Sequence, residues 1–257
     1  MDNSEEMEAA IRVAKVAGKI LMSYYDRINV EYKADRSVVT EADLESEKII
    51  KSILNEEFPD YSFLGEESGL EEKASDYIWV VDPLDGTTNY TIRDPFFNVS
   101  VGLTYKGEPI LGVVYYPYEK ELFQAEKEKG AYLNNEKIQV SKKEKLENSV
   151  VTFCHHRDEA SIRRMGDIFV AVKLVTNRFR QIGAGGLELS YVACGRTESF
   201  MMPGANTWDV VAGAIIVKEA GGMVTDFEGM PYTMESRDIL ASNGRIHGQL
   251  LKLLEGL

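Results

Sequence analysis

The stretch Ile78-Trp79-Val80-Val81-Asp82-Pro83-Leu84-Asp85-Gly86-Thr87-Thr88-Asn89 constrains this chain more than any other. Its first four residues form a short apolar run of strand type, and two carboxylates follow at its end. Pro83 stiffens the turn, and Gly86 followed by Thr87 would let two successive backbone N–H groups point at a phosphate oxygen. Paired carboxylates in this setting suit a hard divalent cation that takes oxygen ligands. Taken alone, the segment reads equally well as a turn in which Asp and Gly serve backbone geometry.

Two further acidic groups shift that balance. Phe63-Leu64-Gly65-Glu66-Glu67-Ser68 places paired glutamates after a short apolar strand, and Trp208-Asp209 opens an apolar helix. Sheet-based enzymes put functional carboxylates at strand ends and helix starts, whereas solvating acids lie on helix faces. Asp209 alone would be a favourable charge in a first helical turn, and Glu66 alone a loop acid. With the first segment they point to one site. Lys33 and the run Thr40-Glu41-Ala42-Asp43 add a cation and another acid, with Thr40 read first as a helix cap.

The rest of the chain reads as helices and strands in layers. Met7, Ala10, Ile11, Ala14, Ala17, Leu21, Met22 and Tyr25 recur at helical spacing, which predicts an amphipathic helix from Ser4 to Asp26. A second helix is expected over 41–57, with Leu44, Ile49, Ile50, Ile53 and Leu54 mostly inward and Phe58-Pro59 ending it. β-rich runs follow at 97–105 and 110–116, joined by Lys106-Gly107-Glu108, and Asn134-Asn135 marks another tight turn. Beyond the charged stretch Ser141 to Asn148, strands are expected near 150–154, 199–202 and 223–226. Helices are expected near 159–172, from about Gly186, over 208–220 and over 246–254. The charged stretch is the best boundary, between an N-terminal α+β half, 1–145, and a C-terminal α/β half, 146–257, packed as one functional unit. The fold class this supports is layered α/β.

Composition narrows the function. The 257 residues are 44% apolar, enough for an ordinary core. Against 29 Lys and Arg stand 42 Asp and Glu, a net charge of −13, which argues against a nucleic-acid partner. No run of about 18 apolar residues occurs, and Met1 to Glu8 carries four acids and no base. Neither a membrane span nor a signal peptide is therefore expected, and the expected location is the cytoplasm. Cys154 and Cys194 fall in no C-x-x-C or Cys/His pattern, so no disulfide framework or structural zinc is suggested.

With these residues in view, the chain resembles the inositol monophosphatase family of metal-dependent phosphatases. The resemblance is carried by Val39-Thr40-Glu41-Ala42-Asp43, Gly65-Glu66-Glu67, the stretch Asp82 to Asn89, and Trp208-Asp209-Val210-Val211-Ala212-Gly213. They stand in the family's order and span essentially the whole chain. The resemblance implies an α/β/α/β/α five-layer sandwich of the inositol monophosphatase and fructose-1,6-bisphosphatase type. It also implies a lithium-sensitive, magnesium-dependent hydrolase of small phosphomonoesters, working as a homodimer through a metal-activated water. By the same resemblance, Glu66 and Asp82 would hold one magnesium ion with the Leu84 carbonyl, and Asp82, Asp85 and Asp209 a second; Glu66 would help a weaker third. Thr87, paired with Asp43, would orient and deprotonate the attacking water, and the N–H groups of Gly86 and Thr87, beside Thr88, would bind phosphate. Glu67 and Lys33 would support these groups from behind.

Gln181-Ile182-Gly183-Ala184-Gly185-Gly186 is similar to the family's substrate loop, which places Gly183, Ala184 and Gly185 near the substrate with Asp85 and Asp209. It is no dinucleotide fingerprint, because Glu188 occupies the last required Gly of G-x-G-x-x-G. One position departs from the family. Counted back from Trp208-Asp209, Met202 falls where typical inositol monophosphatases carry a Glu that hydrogen-bonds ring hydroxyls, and a thioether cannot accept such bonds comparably.

Inositol 1-phosphate is the leading substrate, and fructose 1,6-bisphosphate, alone or in a dual activity, is the alternative. Behind these stand 3′-phosphoadenosine 5′-phosphate, histidinol phosphate, NADP, and a non-catalytic regulatory role. Asp-Gly-Thr also ends the D-x-D-G-T motif of aspartyl-phosphate enzymes, but here the two Asp are three apart and Trp208-Asp209 favours direct water attack. Arg178, Arg180 and Arg196 are candidates to meet a second phosphate. His155 and His156, followed by Asp158, would face opposite sides of an extended strand, so a loop near the site entrance or a dimer contact is expected instead of joint chelation.

Overall fold

The structure is a computed structural model that describes residues 3–27, 30–32 and 38–257; Lys33, the expected supporting cation, lies outside them. Helix α1 (Glu5–Tyr24) starts at Ser4, whose hydroxyl accepts the Met7 N–H at 3.2 Å. Strands β1 (Val30–Tyr32) and β2 (Val38–Thr40) form an antiparallel pair that leads into helix α2 (Glu41–Glu57). Thr40 and Asp43 close a reciprocal capping box at its start. The buried stripe of α1 is Met7, Ala9, Ala10, Val13, Ala14, Ala17 and Leu21, while Met22 faces outward. The inner face of α2 departs from its hydrophobic pattern. Leu44 is half exposed, and Asp43, Ser46 and Glu47 are buried beside Ile50 and Leu54.

The large sheet holds β3 (Ser62–Gly65), β4 (Gly69–Glu71), β5 (Tyr77–Asp85), β6 (Asn98–Tyr105), β7 (Glu108–Tyr116), β8 (Glu121–Glu126), β9 (Gly130–Leu133) and β10 (Glu136–Lys137). Their spatial order is β10-β9-β8-β7-β6-β5-β3-β4, with only β3 and β5 parallel. A one-turn helix α3 (Thr87–Thr91) follows β5. The hairpin turns at Lys106-Gly107 and Asn134-Asn135 have both residues at positive φ, the backbone that matches strand twist in two-residue loops.

The small sheet holds β11 (Val151–Phe153), β12 (Phe179–Arg180), β13 (Ser199–Pro203), β14 (Met223–Thr225) and β15 (Asp238–Ser242), in the order β12-β11-β13-β15-β14. The remaining helices are α4 (Glu159–Val175), α5 (Gly185–Ala193), α6 (Thr207–Glu219) and α7 (His247–Leu254). Helices α1 and α2 cover one face of the large sheet, α5 and α6 lie between the sheets, and α4 and α7 cover the far face of the small one. These are the expected α/β/α/β/α layers. Helix α6 is buried from Val210 to Val217 because it meets a sheet on each side. It approaches β7 so closely that a Cβ at Gly112 would lie 2.3 Å from the Ala212 carbonyl oxygen. No helix among the described residues is long and apolar enough to cross a membrane.

Candidate active site

The acids of the Asp82–Asp85 segment stand inside the sheet, not in a turn beyond it. Asp82 pairs with Ser100 and Asp85 with Asn98, and the register shifts between them, which is where a strand tolerates Pro83. The Leu84 N–H donates to Asp82 Oδ1 at 2.9 Å. Gly86 then turns the chain with φ 91°, and a Cβ there would sit 2.7 Å from the Phe96 carbonyl oxygen, so only glycine fits. Parallel pairing of β3 with β5 sets Gly65 beside Val81 and bonds the Glu66 N–H to the Val81 carbonyl at 3.2 Å. Glu66 therefore leaves the sheet next to Asp82. Asp209 arrives on the first turn of α6, where the Asn206 amide donates to its Oδ2 at 3.2 Å.

Glu66, Asp82, Asp85 and Asp209 all line one cavity of about 740 Å³. Asp85 is tied across the layers: its Oδ1 accepts the Gly185 N–H at 3.1 Å, and its Oδ2 accepts the Gly186 N–H and the Asn98 amide, each at 2.7 Å. Burial pushes Asp85 up to about 6 despite those three donors. Asp82 is raised well above the ordinary carboxylate range by burial and then by Glu66, Asp85 and Asp209. Asp209 is raised by burial, then by Asp85 and Glu66.

The acids thus feel one another's charge strongly, yet among the described residues no three acidic, His or Cys side chains converge as a finished ligand cluster. All-oxygen donors that resist ionising together fit a hard divalent cation, which would relieve the repulsion.

Thr87 and Asp43, the pair expected to serve the attacking water, bond to other groups in this structure. Thr87 Oγ1 donates to the Leu84 carbonyl at 3.1 Å, because Thr87 opens α3 and folds back over the bulge. Asp43 Oδ2 accepts the Thr40 N–H at 2.8 Å and the Thr40 hydroxyl, while its buried Oδ1 has no partner among the described residues. Burial lifts Asp43 to about 6.

Glu188 shapes the substrate-loop segment. Its Oε1 accepts the N–H groups of Ile182 at 2.6 Å and Gly183 at 2.8 Å, so the residue that breaks the dinucleotide pattern clasps the loop. It is fully buried, and burial pushes it up to about 8. Asn89 steadies the loop from α3 by donating to the Ile182 carbonyl at 2.8 Å. Gly86, Thr88, Gly183, Gly185 and Met202 line the cavity; Ala184 is fully buried behind it. Glu67 directs its backbone N–H to Glu47.

His155, His156 and Arg157 line the same cavity from the loop after β11. The opposite-face reasoning does not apply to them, since the strand has ended at Phe153. His156 Nδ1 lies 2.9 Å from Asp158 Oδ2. Arg178, Arg180 and Arg196 are absent from the cavity wall; Arg196 instead forms a forked pair with Glu121. Arg157 lines the cavity instead. Sequence reasoning passed over it, as it did Glu47, Asn98 and the clasp by Glu188.

The sequence profile of the inositol monophosphatase family matches residues 2–257. This chain belongs to that family. Among its relatives, a fructose-1,6-bisphosphatase/inositol-1-monophosphatase of Thermotoga maritima is 36% identical over 252 residues, covering 97% of this chain and 96% of that protein. Nus factor SuhB of Pasteurella multocida is also 36% identical, over 97% of this chain and 95% of its own. Among solved structures, SuhB of Bartonella henselae superposes with a TM-score of 0.92 at 35% identity, over 98% of this chain and 99% of that one. The chain is accordingly an inositol monophosphatase family phosphatase, a phosphoric monoester hydrolase, in a generally metal-dependent family.

Proposed function

We propose that this phosphatase hydrolyses small sugar or polyol phosphomonoesters with magnesium, inositol 1-phosphate foremost. The observation that carries this reading is that Glu66, Asp82, Asp85 and Asp209, from the loop after β3, from β5 and from α6, line one cavity. Glu66, Asp82 and the Leu84 carbonyl would hold one ion and Asp82, Asp85 and Asp209 another, with a third leaning on Glu66. Bound magnesium would supply positive charge that makes water acidic enough to attack near neutral pH and that offsets charge on the phosphate oxygens.

The chain's own groups do the rest. The N–H groups of Gly86 and Thr87 would hold phosphate oxygens, which the bare Cα of Gly86 leaves accessible. Thr87 and Asp43 would orient the attacking water and take its proton, Asp43 being suited as a base by its lift to about 6. That relay requires the Thr87 hydroxyl to release the Leu84 carbonyl, the oxygen assigned to the ligand set. Gly183, Gly185 and Met202 would border the alcohol. A cytoplasmic homodimer belongs to the same proposal and is supported by the family resemblance.

Fructose 1,6-bisphosphate is the second reading. It is favoured by Arg157 on the cavity wall, by the thioether of Met202 in place of a hydroxyl acceptor, and by the double name of the Thermotoga relative. The test is kcat/KM with magnesium for inositol 1-phosphate, fructose 1,6-bisphosphate, 3′-phosphoadenosine 5′-phosphate, histidinol phosphate and NADP. The proposal expects one of the first two to lead, and a leading nucleotide or histidinol phosphate would overturn it.

A further inference from the structure

Glu47 lies in none of the motifs that mark the site. It sits one helical turn after Asp43 on the inner face of α2 and is only 3% exposed. Both of its carboxylate oxygens are used on one short loop. Oε2 accepts the Glu67 N–H at 2.8 Å, and Oε1 accepts the Ser68 N–H at 2.7 Å. These donors belong to the two residues directly after Glu66. The approach is tight enough that a Cβ on Gly65 would lie 2.6 Å from Glu47 Oε2. A carboxylate taken out of water is costly unless hydrogen-bonded, and here both oxygens are satisfied by backbone at the site's edge.

We propose that Glu47 is a positioning residue for the metal site: it fixes the loop 66–68 so that the Glu66 carboxylate is presented beside Asp82. The inference rests on the reading of Glu66 as a magnesium ligand. The loop is held from two sides, by the Glu66 N–H bond to Val81 in the sheet and by Glu47 on the helix. Glu66 lines the cavity from this anchored loop. Asp43 and Glu47, one turn apart, also tie two parts of the site to a single rigid helix, which holds geometry better than a loop alone. Glu47 need not touch substrate or cation to act this way. Residues that orient ligands from behind typically change metal affinity by about 10–100-fold when altered.

The test titrates the purified wild type, Glu47→Gln, Glu47→Asp and Leu54→Ala with magnesium by calorimetry, with thermal melting of the metal-free forms alongside. Leu54 is an apolar residue buried on the same helix, so its truncation reports what simple loss of stability does. Glu47→Gln keeps one acceptor and turns an NH2 toward a loop N–H, and it should weaken magnesium binding by about tenfold or more. Glu47→Asp keeps the carboxylate on a shorter stem, should lose affinity several-fold, and carries the test if the Gln variant does not fold. Leu54→Ala should melt earlier with magnesium affinity unchanged. Wild-type affinity in the Glu47 variants, or an equal loss in Leu54→Ala, overturns the positioning role. Absence of magnesium binding in the wild type would instead remove the reading of Glu66 as a ligand, and this inference with it.

Discussion

The Asp85 carboxylate accepts the Gly186 N–H at 2.7 Å across 101 residues of chain, joining the end of β5 to the first turn of α5. The same oxygen accepts the Asn98 amide at 2.7 Å. An acid held this way ties two layers together, and its replacement separates that structural role from the proposed role as a metal ligand.

Asp85→Asn keeps the shape and removes the charge. Its NH2 must face one of the donors, so folding stability should drop by about 1–3 kcal/mol while the fold persists. Turnover should fall by on the order of 100-fold or more. Urea denaturation and steady-state kinetics check the two parts, and near-normal turnover in the folded variant would falsify the ligand assignment.

Much of this site was legible in the sequence, for reasons that can be named. Thr40 caps its helix because local side-chain chemistry decides caps, and the acids of the Asp82, Glu66 and Trp208-Asp209 segments line one cavity because short motifs carry them to element ends. The β5 bulge was not legible, since it depends on pairing with β6, far along the chain. Glu47 was not singled out because its reason for burial is a backbone loop with no side-chain signature. Strand β8, Glu121–Glu126, was missed because polar residues flank its apolar centre. The Thr87 to Leu84 hydrogen bond follows from a one-turn helix too short to announce itself.

Magnesium affinity should fall as pH drops through about 6. In the metal-free protein burial lifts Asp85 to about 6, and Asp82 and Asp209 are both raised well above the ordinary carboxylate range by burial and then by neighbouring acids, Glu66 and Asp85 among them. These acids must lose protons before a cation binds, so binding releases protons and weakens in acid. The sign for stability is opposite: a carboxylate whose folded pKa exceeds its unfolded value holds its proton more tightly when folded, so the metal-free form gains stability from these acids on acidification through that range. Calorimetry at pH 7.5 and 5.5 should give weaker binding at the lower pH, and equal affinities would contradict the shared-charge account.

His247 works the other way. The Thr225 hydroxyl donates to the Asp226 carbonyl at 2.6 Å and so receives the imidazole Nε2–H at 3.0 Å, while Ser242 Oγ lies 2.8 Å from Nδ1. Burial lowers its pKa from 6.5 to about 4. A depressed folded pKa means that the stabilisation is complete above about 6.5 and is lost as pH falls toward 4, on the order of 3 kcal/mol in all. His247→Gln should therefore be less stable than wild type at pH 7, with the gap closing toward pH 4. A gap that stays constant over that range would refute the neutral, hydrogen-bonded imidazole.

Substrate choice should respond to the two unusual residues on the cavity wall. Arg157→Ala should lower kcat/KM for fructose 1,6-bisphosphate several-fold relative to inositol 1-phosphate, because an exposed guanidinium facing a second phosphate contributes about 1 kcal/mol. Met202→Glu should shift the same ratio toward inositol 1-phosphate by restoring a hydroxyl acceptor. Unchanged ratios in both variants would assign specificity elsewhere.

The central claim is that the cavity lined by Glu66, Asp82, Asp85 and Asp209 works as a magnesium-dependent phosphomonoesterase centre. Phosphate release from inositol 1-phosphate, followed first with magnesium, then with excess chelator, then after magnesium is returned, tests it most directly. The account predicts activity that disappears with the chelator and returns with the metal. Release that continues undiminished in the chelator would contradict it.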